Sequence, residues 1–493
     1  MQTPVSSRSS GAPAKSADRI DPATRTKGVN SERAVTTPDA DKPESLNRNR
    51  AFNYLWAGET ASQFGFQVAS LAITTTAITV LHATEEQVGI IGGLQTLAFL
   101  LIGLPAGAWV DRWRKRRTMI VADLVRMIAL ASIPLAWWMD SLSIYHLMVV
   151  VLIFGFGTVF FDVAYQSFVP SIVRNHQIGQ ANGRLEASFQ IARVGGPGIA
   201  GWLIGLMSAP VTFVLTSVTL GISAGAIGAI PGHEPKRKKP TDQKLWQQVK
   251  EGVDYVRGEP LLGPLFLCIA ALGLFGQGVW VLMPILALRE LGMSPQVLGT
   301  LLSVGAVGGV LGALINRRIV RRLGEGHTIA IFNTLGVLVN FAIPMSVLAG
   351  SQAWLVLVVT GFVNSFFMTV YNIVQLSLRQ RICPPHLLGR LNATFRFAVW
   401  GAMPVGSFLA GWLAGTIGVV LALYAFQGLS LVAAIAMWFT PVVKKNRIGS
   451  YVSRLVQPGS SEREPVDSPI STSSTDTSNY QNISFQDDVP PSI

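Results

Sequence analysis

Apolar and polar positions alternate along this chain in long blocks rather than in short amphipathic periods. From Ala51 onward, twelve apolar stretches follow one another, approximately 51–81, 88–110, 118–138, 144–169, 185–207, 210–231, 261–288, 295–316, 328–348, 353–378, 391–415 and 417–441. Each is near the roughly 20 residues that a helix needs to cross a bilayer. The pattern therefore predicts an all-α membrane protein of twelve transmembrane helices. No apolar run precedes residue 51, so the first span itself is expected to act as the insertion signal.

The polar blocks divide the chain further. Residues 1–49 and 444–493 are rich in Ser, Thr, Pro and charged residues without periodicity, and are expected to be disordered tails. The longest internal polar stretch, 232–260, splits the spans into halves of six, 50–231 and 261–443. Within it Leu245, Trp246, Val249, Val253 and Val256 recur at helical spacing. That suits a helix lying on the membrane face or packed against the protein's own underside.

Charge orients the spans. The sequence is 49% hydrophobic and 13% charged, with a net charge of +12. A soluble protein carries roughly 25% charged residues. The basic residues fall into short loops rather than onto one continuous face, which argues against nucleic-acid binding. Arg112 and Arg114–Arg117, Arg174, Lys236–Lys239, Arg317, Arg318, Arg321, Arg322, Arg379 and Arg381 all lie in alternate loops. The intervening loops hold one basic residue, Arg289. Loops rich in Lys and Arg stay cytoplasmic, so both termini are expected inside the cell membrane.

The halves repeat. A shift of 210 residues carries His176, Gly179 and Asn182 onto His386, Gly389 and Asn392, and Gly196, Gly201, Trp202, Leu203 and Gly205 onto Gly406, Gly411, Trp412, Leu413 and Gly415. Such an internal repeat implies a pseudo-two-fold axis with a cavity between the halves. Gly103 and Gly107 give the second span a small-residue face for close packing.

Gly107-x-x-x-Asp111-Arg112 followed by Lys115-Arg116 resembles the loop between spans two and three of the major facilitator superfamily, with Arg114 where the family pattern has glycine. In span five Gly183, Ala192, Gly196-Pro197 and Ala200-Gly201 resemble the drug and metabolite antiporter motif, with alanine at two glycine places. Trp56-Ala57-Gly58-Glu59 and Phe161-Asp162-Val163-Ala164-Tyr165 resemble the subgroup of bacterial macrolide efflux and enterobactin-type siderophore exporters. The resemblance implies two pseudo-symmetric six-helix halves working by alternating access. It also implies export of a small, largely apolar compound (antibiotic, drug, siderophore or related metabolite) in exchange for protons, with Gly196, Pro197 and Gly201 as the antiporter motif.

Ionisable residues at membrane depth are expensive and mark function or pairing. Glu59 begins a polar stripe continued by Gln63, Gln67, Ser70 and Thr74. A carboxyl group there can take up and release a proton as its surroundings open and close. Its alternative is a permanent pair with a cation such as Arg193. Asp162 and Arg193 complete the proton-coupling set. Gln63, Gln67, Asn364, Tyr371, Asn372 and Gln375 are the cavity candidates, with Trp280 and Trp400 as possible apolar lining. For a cytoplasmic gate the candidates are Asp111 and Arg112 with Arg390 or Arg396, and Glu186 with Arg317 or Arg318. Simple boundary charges facing lipid headgroups are the alternative for these.

There is no G-x-x-x-x-G-K-[ST] pattern and no His/Cys/Asp/Glu set with metal spacing, and Cys268 and Cys383 form no framework. The sequence thus predicts a transporter and not an enzyme, acting as a monomer on a small molecule and protons within membrane lipid, without a cofactor. An uptake symporter on the same fold and a non-transporting sensor are its rivals.

Overall fold

The computed structural model describes residues 46–231, 254–383 and 388–444. These form helices and no strands. Helix α1, Arg50–Thr75, is followed by α2 (Glu85–Arg112), α3 (Lys115–Trp138), α4 (Ile144–Ile172), α5 (Ile178–Met207) and α6 (Ala209–Gly228). After residue 260 come α7 (Leu262–Ile285), α8 (Pro295–Leu323), α9 (Glu325–Asn340), α10 (Ala353–Ile382), α11 (Leu388–Ile417) and α12 (Val419–Trp438). Each coincides with one apolar stretch. Most run past it by a turn where polar residues cap or extend the helix: Thr84 caps α2 in a reciprocal capping box with Gln87, and Ser294 caps α8. The stretch 328–348 departs from a single helix. α9 ends at Asn340, and short helical turns follow at Ala342–Met345 and Ser346–Gln352, the second kinked at Gly350, whose φ is +52°.

By length and apolar composition, nine stretches among the described residues suffice to cross a membrane, and one of them, Glu325–Ile382, contains both α9 and α10. α1 and α5 fall short of that apolarity. Their polar residues are Glu59, Gln63 and Gln67 on α1, and Arg184, Glu186, Gln190 and Arg193 on α5. A spanning helix that is polar along one side must turn that side to protein or to a cavity.

Packing repeats with the sequence. α1 packs on α5 and α6, α3 on α4 and α6, and α2 on α4; with six added to each label the same contacts hold among α7–α12. Two pairings join the halves, α2 with α11 and α5 with α8, and these exchange under the same operation. The bounds of α5 and α11, and of α6 and α12, lie 210 residues apart at both ends. So do two π-helical turns, Thr76–Val80 ending α1 and Leu286–Glu290 ending α7.

The halves meet tightly at one end, where α2 and α8 begin and α5 and α11 finish. A Cβ on Gly89 would lie 2.6 Å from the Gly411 Cα, and one on Gly299 would lie 2.9 Å from the Gly201 Cα. Backbone thus meets backbone at both seams, which only glycine permits. Toward the other end the seams part. A Cβ on Gly103, Gly107, Gly183 or Gly195 would meet nothing within 4 Å. Gly103 and Gly107 are therefore not the packing glycines of α2; Gly89 is. The reason is geometric, since α2 and α11 have diverged by the level of Gly103, after Leu100 touches Gly401.

Two loop expectations also resolve. Arg114 has φ −75° and ψ 110°, an extended conformation open to any residue, so the missing family glycine imposes no strain there. Residues 245–253 of the expected linker helix lie outside the described residues. Its last part, Asp254–Gly258, is helical, with Val256 buried in the apolar core of the second half.

Candidate functional site

The polar stripe of α1 is drawn into the first half, with Glu59 buried and Gln63 and Gln67 half-buried. Glu59 is only 4% exposed. Its Oε1 accepts a hydrogen bond of 2.6 Å from Gln63 Nε2, while its Oε2 is buried with no hydrogen-bond partner. Gln67, one turn on, backs against Gly196: a Cβ on that glycine would sit 2.5 Å from the Gln67 Cβ. The span-five motif therefore has two separate tasks. Gly196 lets α5 approach α1 within its own half, and Gly201 lets it approach α8 of the other. Between them Pro197 carries no N–H, and the Gly198 N–H donates to Ser303 Oγ of α8 at 2.8 Å.

The expected cation of this site is Arg193, but Arg193 is exposed. The guanidinium close to Glu59 belongs to Arg126 of α3, 2% exposed, and it forms an ion pair with Asp123 one turn earlier. Arg126 Nη2 also donates to Ser62 Oγ on α1 at 3.1 Å. Its guanidinium lies over the Phe161 ring at 4.5 Å and the Phe154 ring at 6.0 Å, both on α4. Room for it comes from Gly157, where a Cβ would stand 2.6 Å from the Arg126 Cγ. In the sequence both residues lie close to the cytoplasmic end of a span and are expected to serve no more than helix-helix pairing. The available signal is the spacing: opposite charges three apart on an otherwise apolar helix form a self-contained pair.

Asp162, half-buried on α4, has two charged neighbours, Arg126 and, from the second half, Arg396. Arg396 lies over the Trp400 ring at 5.3 Å, and Trp400 meets Phe99 of α2 edge-on at 4.2 Å. Arg396, exposed, is thus stacked on a residue that bridges to α2. Tyr165, a turn from Asp162, has Glu59, Asp162 and Glu186 as its acidic neighbours.

The second half contributes less than expected. Asn372, at the position equivalent to Asp162 in the repeat, is exposed. Tyr371 and Gln375 instead point into their own half, 5% and 7% exposed, and Tyr371 packs with Cys268, Phe395 and Leu391. Asn364 turns its Oδ1 to Gly336 of α9. Successive residues on an α-helix point about 100° apart, so Tyr371 can turn into its own half while Asn372 stays exposed. Trp280 is 62% exposed, away from the core, whereas Trp400 bridges the halves.

At the parted end the expected latch of Glu186 with Arg317 or Arg318 is not made. Glu186 accepts 2.7 Å from Gln190 on its own helix, and Arg112, Arg317 and Arg318 are exposed. Among the described residues no ion pair joins Glu186 to Arg317 or Arg318. The side chains of Asp111 and Arg390 lie outside the described residues. At the tight end a latch not foreseen is closed. Arg289, in the π-turn of α7, donates from Nη1 to Glu85 Oε1 and from Nη2 to the Ala83 carbonyl, each at 2.5 Å, and so clips the second half to the start of α2. Its signal in the sequence is its being the one basic residue of the loops assigned outside.

Two six-helix bodies related by an internal repeat, tight at one end and parted at the other around buried charges, define a membrane transporter of the major facilitator fold. Residues 45–463 match the transmembrane secretion effector family, and the chain belongs to it. It is 27% identical over 369 residues to the multidrug efflux pump Tap of Mycolicibacterium fortuitum, covering 72% of this chain and 87% of that one. It is 24% identical over 379 residues to macrolide efflux protein A of Streptococcus pyogenes, covering 75% and 90%. Among solved structures, a bacterial homologue of the iron transporter ferroportin in its inward-facing state superposes with a TM-score of 0.63. That match has 18% identity and covers 80% of this chain and 98% of the other.

Proposed function

We propose that this protein exports a small, largely apolar compound, of the antibiotic, drug or siderophore kind, in exchange for protons. The observation that carries the reading is Glu59: a buried carboxyl group on a membrane-depth helix with one oxygen unpartnered. A charge held there without a partner is expensive, and a proton removes it. The names of its efflux relatives support the outward direction.

Alternating access then assigns the geometry. The positive-inside rule places both termini and the parted end in the cytoplasm of a cell-membrane protein, so this is the inward-open state. Residues 50–231 and 261–443 are the two moving bodies, joined by the segment 232–260. The polar groups available to a cargo path are Asp162 and Gln63, half-buried, and Asn372, exposed, with Glu59 bonded to Gln63. Arg112, Glu186, Arg317 and Arg318, exposed here, are the charges available to close the cytoplasmic side, with Asp111 and Arg390 as their expected partners. Outward flow of cargo would be driven by protons returning through Glu59, alternately facing the two sides.

The test is accumulation of a fluorescent hydrophobic dye in inverted membrane vesicles under an imposed pH gradient, beside E59Q. Accumulation that an uncoupler collapses and that E59Q abolishes is the expected result. Dye uptake that persists in E59Q would remove Glu59 from the coupling, and uptake in the opposite orientation would make the protein a symporter.

A further inference from the structure

Charge accounting at the buried site leads beyond the residues a sequence reading selects. Three carboxyl groups cluster there, on Glu59, Asp123 and Asp162, with two guanidinium groups, on Arg126 and Arg396. Asp123 and Arg126 form a direct ion pair. Asp162 has Arg126 and, less strongly, Arg396 as its charged neighbours. Glu59 has only the Gln63 amide, and its Oε2 has no partner. Three carboxyl groups thus share two guanidinium groups, and Glu59 on α1 has no ion pair and one unpartnered oxygen.

We propose that Arg126 is a positioning residue for proton exchange: its pairing with Asp123 withholds it from Glu59 and so keeps Glu59 an exchangeable charge of the site. This rests on the proton-coupled reading above. Arg126 is within reach of the alternative, because the same Nη2 that serves Asp123 also donates to Ser62, three residues from Glu59 on the same helix. The Phe161 and Phe154 faces and the gap at Gly157 hold the guanidinium on the Asp123 side. Around Glu59 the facing ionisable groups are Asp123 and Arg126 from α3, Asp162 and Tyr165 from α4, and Glu186 of α5 by way of Tyr165; α6 carries none. When Glu59 releases its proton to the open end, no bond to Arg126 forms, and the net charge of −1 awaits either a proton or a cationic group on the cargo.

Infrared titration of the full-length protein in lipid tests this without knowledge of the cargo. The protonated carboxyl stretch of Glu59 is identified as the band that E59Q removes. In D123N the freed Arg126 pairs with Glu59, and the band should titrate roughly one to three pH units lower than in the wild type. In R126Q it should titrate higher. Removing one partner of a buried pair is destabilising; should R126Q fail to fold, D123N/R126K, which keeps the cation, should shift downward as D123N does. Shifts in the same direction for D123N and R126Q, or no shift in D123N, overturn the positioning role. A wild-type protein in which E59Q removes no titrating band overturns the proton-coupled reading itself.

Discussion

Gly299→Ala is the sharpest probe of the closed seam. The added methyl would stand 2.3 Å from the Pro197 carbonyl oxygen, 2.9 Å from the Gly201 Cα and 3.0 Å from its nitrogen. All three obstacles are backbone, so no side chain can swing aside, and α8 must retreat from α5 by about 0.7 Å. Overpacking of this kind costs about 1–3 kcal/mol. Only the state in which the seam is closed bears that strain, so the equilibrium should move toward opening of this end by roughly 5- to 150-fold. Spin labels at Ser141 and Gln352, in a background with Cys268 and Cys383 replaced, would report the separation by pulsed electron resonance. The longer-distance population should grow in G299A, and likewise in G89A, whose methyl would meet the Gly411 Cα at 2.6 Å and the Ser407 carbonyl at 2.8 Å. G103A, with nothing within 4 Å, should leave the distribution unchanged. An unaltered G299A, or an equal change in G103A, would refute the argument that the glycines set the closed state.

Three further outcomes are expected. Arg289→Gln removes the clip to Glu85 and Ala83 and should enlarge the same long-distance population, with Glu85→Gln producing a smaller change because the Ala83 carbonyl remains. Gly157→Ala drives a methyl to 2.6 Å from the Arg126 Cγ and should lower the thermal midpoint of the purified protein, at a cost of about 1–3 kcal/mol. Arg116→Met removes donors from the Ile227 and Gly228 carbonyls at the end of α6 and should destabilise the first half by about 1–2 kcal/mol, measured by unfolding in mild detergent.

The helices were legible because bilayer-length apolar runs leave few alternatives, and the 210-residue repeat was legible because it is written in glycines and a tryptophan that packing constrains. Their ends were less so. α5 begins at Ile178, seven residues before its apolar run, since Gln180, Asn182 and Arg184 sit where polar residues find water or a partner. The charges of α3 were harder. Composition shows Asp123 and Arg126 but not that Ser62 and two phenylalanine rings converge on them from α1 and α4. The facing of α10 was also hidden, because a polar residue there looks alike in sequence whether it meets the central space, as Asn372 does, or its own half, as Tyr371 does. Of the two glycine sets on α2, Gly89 meets backbone while Gly103 and Gly107 meet nothing, a difference that spacing alone does not carry.

A seam in which bare backbone meets bare backbone has no pattern of side chains that must match from one half to the other. Mutations that reshape the chamber wall can therefore accumulate without a compensating change at the closure. Drift in cargo preference and conservation of the moving parts are, in such a design, separate evolutionary problems, and a laboratory selection for new cargo should find its solutions on the wall while leaving Gly89, Gly201, Gly299 and Gly411 untouched.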